Sequence, residues 1–167
     1  SMTRLREYRG DDHVALDATT QRNLELVETM QGDRAGSLVA TVDHTTTSAG
    51  GRLLREWLRR PRQDLATIER RQASVDALSR AALARERLRE TLGDAYDLER
   101  LASTATSGSA DPSDLAAVRE TLAVLPAVVE CVADDPVLAE SPLGAVLDRP
   151  DRAAAADLRD TLAEALV

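Results

Sequence analysis

The chain of 167 residues contains no phenylalanine, one tryptophan (Trp57) and two tyrosines (Tyr8 and Tyr96). A core must therefore be assembled from Leu, Val and Ala, which suit helix-on-helix packing better than a sandwich or barrel. The length is enough for one domain with a real core. All 21 basic residues are Arg. A P-loop needs a lysine after its glycine-rich phosphate cradle, so self-contained nucleotide chemistry of that kind is excluded.

The net charge of -8 opposes binding of nucleic acid over the whole surface. Its distribution is uneven. Residues 52–100 hold 12 Arg against 9 acidic side chains, whereas residues 101–167 hold 4 Arg against 12. The acidic half would repel a phosphate backbone. With one cysteine, Cys131 among Val128, Val129 and Val132, there is no internal disulfide and no cysteine metal cluster. No apolar run is long enough to span a membrane and no leader is visible, so the expected compartment is the cytoplasm.

Apolar periodicity predicts a series of helices. One is expected over Ala18–Met30, capped by Thr19 or Thr20 and broken by Gly32, and a short one after Ser37. The hydroxyl-rich run His44–Ser48 then suits the start of a helix that buries Leu53, Leu54, Trp57 and Leu58 and stops near Pro61. Gly50 and Gly51 lie where a close backbone approach is expected. Asp64 should cap a helix with Leu65, Ile68, Val75 and Leu78 inward, followed by a segment burying Leu83, Leu88 and Leu92. Asp111-Pro112-Ser113-Asp114 is the clearest helix start. From it runs a seam of Leu115, Val118, Leu122, Leu125, Val129 and Val132, which Pro126 is expected to bend or interrupt.

Few residues offer chemistry. His13 reads as a solvent-exposed side chain, and Asp43-His44 as part of a capping loop in preference to a nucleophile or metal site. Asp94, Asp97 and Glu99 read as a solvated junction balanced by Arg89 and Arg100. Asp134-Asp135 lacks calcium-loop spacing. Arg52, Arg55 and Arg59 share a helix face. That face suits surface ion pairing, or contact with another domain or with phosphate.

Three ordered blocks carry a family resemblance. Leu16-Asp17-Ala18-Thr19-Thr20-Gln21-Arg22-Asn23-Leu24-Glu25-Leu26 resembles the opening of the core, or lever, domain of MutS mismatch-repair proteins. Asp43 to Leu58 is similar to that family's D-x-T-x-T-x-x-G-x-R-L-L-R-x-W-L pattern, with Ser48-Ala49 where Pro-Met is common. Tyr96-Asp97-Leu98-Glu99-Arg100-Leu101, Ser107 to Leu115, and Leu122-Ala123-Val124-Leu125-Pro126 follow in the family's order.

The resemblance implies an all-α, elongated multi-helix bundle of the MutS core/lever kind, the N-terminal part of that domain within a longer chain. Residues 1–17 would be a flexible or linking segment, 18–132 the helical lever domain, 133–150 a proline-containing connector, and 151–167 the start of a further lever helix. The region itself would be non-catalytic, with no cofactor or metal of its own. It would couple the mismatch-reading, clamp and ATPase domains of a parent that binds mismatched duplex DNA. That parent would use ATP and Mg, form a homodimer, recruit a MutL-type partner and lie with the nucleoid in the cytoplasm, away from membranes. Leu53, Leu54, Trp57, Leu58, Leu115, Val118, Leu122 and Leu125 would be its structural residues. Low aromatic content and the acidic C-terminal half suggest a divergent or salt-adapted relative. The competing readings are an unrelated helical interaction scaffold, an enzyme, and a small nucleic-acid binder.

Overall fold

The computed structural model describes residues 13–166, so the expectations for residues 1–12 and for Val167 lie outside the described residues. Ten helices form the described part, and its only extended pairing is an isolated antiparallel bridge between His13 and Arg62. The all-α expectation holds. Two compact units are present. One takes residues up to Asp43 together with Leu54–Glu69, the other His44–Leu53 together with residues from Arg70 onward.

In unit 1, α1 (Ala18–Asn23) is shorter than the periodicity predicts, and its cap is Asp17, whose carboxylate accepts the Thr20 amide at 2.7 Å. The helix ends because Glu25 takes a left-handed backbone, φ 49°. That turn aims the carbonyls of Glu25 and Leu26 at the first amides of α2 (Leu38–Val42), at 2.9 Å each, supplying partners that a helix start otherwise lacks. Ser37 caps α2 as expected and is fully buried. Gly36 precedes it at φ 95°, where a side chain would be strained.

Helices α3 (Ser48–Arg59) and α4 (Leu65–Arg80) contribute residues to both units. Asp64 caps α4 through the Thr67 amide at 2.9 Å. In unit 2, α4 runs into α5 (Ala82–Gly93) through Ala81. Here the expected inner face is corrected: Val75 is 67% and Leu83 85% exposed, while Ala77, Ala81 and Ala84 are buried. Leu65 is exposed as well. These alanines recur one and two turns apart and form a core cluster with Val132 and Leu138, beside which Leu78 and Leu88 pack. Small side chains let helices approach closely, and reading by side-chain size picks the leucines instead.

Helix α6 (Leu98–Thr106) buries Leu101. Helix α7 (Pro112–Ala133) starts with the expected Asp111 cap, closed into a reciprocal box with Asp114. It passes through Pro126 without interruption, contrary to a break there. It packs against α5, α6 and α10 (Arg152–Ala165). Between them, α8 (Pro136–Ala139) and α9 (Pro142–Leu147) each place proline in the first turn behind a capping Asp135 or Ser141. The proline-containing stretch is thus helical, and Leu138 within it is fully buried.

Candidate functional site

A dense polar construction lies in unit 2, around the first turns of α3 and α6. Asp97 is the N-cap of α6, accepting the Arg100 amide at 3.1 Å, and is only 7% exposed. A buried carboxylate needs a cation or several donors. Arg52 on α3 supplies them by a two-pronged contact with both Asp97 oxygens, one of them at 3.1 Å, and reaches the exposed Glu99 with the same guanidinium. The Arg52 guanidinium holds the Asp97 carboxyl below its ordinary range, and Asp97 in turn raises Arg52.

This corrects the reading of Asp97 as solvated and balanced by the Arg89 and Arg100 side chains. Arg89 instead donates to the His44 carbonyl at 3.0 Å, and Arg100 bonds to Asp97 through its amide. The hydroxyl loop after His44 is organised by Thr47, whose Oγ1 accepts the Gly50 amide at 3.0 Å. A Cβ on Gly50 would sit 3.0 Å from that oxygen, a side-chain contact with the adjoining loop and not the backbone approach expected, and Gly51 is buried. Just before α6, the Tyr96 amide donates to Thr121 Oγ1 at 2.9 Å. That hydroxyl also donates to the Ala117 carbonyl and is buried in α7. Sequence reading passed over Thr121, since a hydroxyl inside a helix gives no local sign of a distant partner.

The other expected residues are distributed. Leu53 and Trp57 are 45% and 40% exposed, so the expected buried stripe of α3 is half open; Leu54 and Leu58 are half-buried. The buried residue of that helix is Gly51 instead. Arg55 is half-buried, and Arg59 lines a cleft of unit 1 with Arg22. Leu115, Val118, Leu122 and Leu125 are half-buried on α7. Leu122, Leu125 and Pro126 edge an apolar cleft of about 250 Å³ with Ala155 and Ala156 of α10.

Asp43 pairs with Arg34 at 2.6 Å, and the His44 side chain is exposed. His13 is half-buried at its bridge with Arg62, not solvated as expected, because the Val14 amide donates to the Pro61 carbonyl beside it at 2.8 Å. Cys131 is buried and 3.7 Å from the Thr91 hydroxyl. Among the described residues no group of three His, Cys, Asp or Glu side chains is placed to hold a metal. No described helix is long and apolar enough to cross a membrane.

Residues 19–167 match the MutS domain III family. The chain is 63% identical over its whole length to DNA mismatch repair protein MutS 1 of Haloarcula marismortui, covering 18% of that protein. It is 59% identical over 99% of its length to MutS 1 of Halobacterium salinarum, covering 19%. It is 42% identical over 98% of its length to MutS of Salinibacter ruber, again covering 18%. The chain thus spans about a fifth of the length of these relatives.

Proposed function

The chain belongs to the MutS family as its domain III, and from that premise we propose that it is the non-catalytic lever of a longer mismatch-repair ATPase. Within it, residues 18–132 form the lever body, 133–150 a connector and 151–167 the start of a further lever helix. The parent binds mismatched duplex DNA, uses ATP with Mg, forms a homodimer and engages a MutL-type partner in the cytoplasm at the nucleoid. This chain has no lysine for a phosphate-binding loop, so the nucleotide chemistry belongs to other domains.

The observation that carries this reading is the match to MutS domain III across nearly the whole chain, on an all-helical framework. In it, the Arg52–Asp97 pair joins two sequence blocks 45 residues apart, giving unit 2 a fixed internal geometry. The half-open Leu53 and Trp57, with Arg55 and Arg59, face other domains of the parent or phosphate. Leu115, Val118, Leu122 and Leu125 form the stiff seam of α7. Connection through packed elements does not by itself establish transmission, so the test must read coupling. In the full-length protein, Arg52→Met or Pro126→Ala should change ATP-driven release from a mismatched duplex while nucleotide affinity is unchanged. Release at the parental rate in both variants would remove the lever role from these residues.

A further inference from the structure

We propose that the cleft of unit 1 between α1, the following turn and Arg59 binds a phosphate group. The cleft holds about 340 Å³ and is lined by Arg22, Arg59, Gln21, Thr29 and Glu28, among others. Its two cations come from separate elements, α1 and the last turn of α3. Arg22 is steadied by a long contact, 3.4 Å, from Nη2 to the Met30 carbonyl, which leaves its other N–H groups free to point elsewhere. Arg59 is exposed and forms no ion pair with any described residue.

Three acidic groups of unit 1 are engaged elsewhere. Glu25 accepts the Met30 amide at 2.7 Å, Asp17 caps α1, and Asp43 holds Arg34. Glu28 is the one carboxylate among the residues lining the cleft; it is exposed, as Arg22 and Arg59 are, and the two arginines leave the lining a formal excess of one positive charge. The turn is preformed by the Thr29 amide to the Asp33 carbonyl, 2.8 Å, and the Asp33 amide to Thr29 Oγ1, 3.2 Å. Guanidinium groups carried by two separate helices can each donate to a tetrahedral oxyanion, whose oxygens diverge, whereas a planar carboxylate is matched by a single fork. The site takes up the phosphate alternative proposed above for Arg59 and adds Arg22 and the cleft to it; it does not rest on the lever role.

The test follows the arginine side-chain Nε–H signals of the 167-residue chain by NMR, at constant ionic strength. Inorganic phosphate, acetate and a short DNA duplex are added in separate arms. Phosphate should displace the Arg22 and Arg59 signals saturably while acetate does not. Arg22→Gln and Arg59→Gln should each weaken phosphate about tenfold, the size expected for one charge-assisted hydrogen bond, and Arg80→Gln should not. If duplex moves the same two signals at lower concentration than phosphate, the group is supplied by a nucleic-acid backbone. If only phosphate does, it is supplied by a small phosphorylated ligand. Responses that fail to saturate, match those to acetate, or survive both substitutions would overturn the site. Arg22→Lys and Arg59→Lys keep the charge and lose the fork, so they decide the matter should a glutamine variant not fold. A null result leaves the lever role standing, because release kinetics measure that separately.

Discussion

Unit 2 buries a connected set of apolar side chains, from Ala77 through Val132 to Leu138, whereas among the described residues of unit 1 only Leu26, Ser37 and Val39 are buried. Unit 1 is instead organised by backbone geometry. Its left-handed Glu25 hands two carbonyls to α2, and Ser37 and Asp17 cap its short helices. The contrast teaches that one Phe-free chain can order itself in two ways. Hydrogen-bonded turns fix conformation locally, but burial of apolar area supplies most of the cooperative stability.

The strongest way to break that comparison is to cut the same kind of group from each unit. Leu138→Ala should cost about 2–5 kcal/mol, and Val39→Ala in unit 1 about 2 kcal/mol. Denaturant unfolding gives both numbers, and hydrogen exchange shows which amides lose protection. Equal losses spread over both units would mean that the division has no energetic counterpart.

Next in size is Asp97→Asn in unit 2, which weakens a cap and leaves Arg52 without its buried partner, at about 1–3 kcal/mol. The carboxyl is held below its ordinary value by Arg52, so its contribution is complete above the ordinary carboxylate pKa. It is lost as pH falls through the lowered folded-state value. Acid unfolding of Asp97→Asn should therefore begin from a lower stability and lack that part of the slope. An unchanged acid limb would show that the pair adds nothing to folding.

The smallest effect is expected at Trp57→Ala. With 40% of the residue exposed, the loss should be about 1 kcal/mol in this chain, far below that of a core tryptophan. A loss of about 3–5 kcal/mol would give unit 1 an apolar anchor and erase much of the contrast.

How legible these regions were in the sequence follows from the range of the forces involved. Ser37, Asp64 and Asp111 could be read as caps because a cap acts on an amide two or three residues away. The early end of α1 could not, since it answers the needs of α2, more than ten residues on. The partnership of Arg52 with Asp97 was hidden for the same reason: each residue had nearer opposite charges to suggest a local pair. Gly144 gave no signal either, although a Cβ there would lie 2.3 Å from the Ala139 carbonyl oxygen, inside contact distance.

The alanines at 77, 81 and 84 impose a one-sided constraint on how this region can drift. A core of methyl groups has little volume left to lose, so truncation is a minor hazard there. Enlargement is the major one, because each added carbon must push two backbones apart. Substitutions tolerated in the vicinity should therefore accumulate at leucines such as Leu83, which stand outside the contact, while the smallest side chains stay fixed.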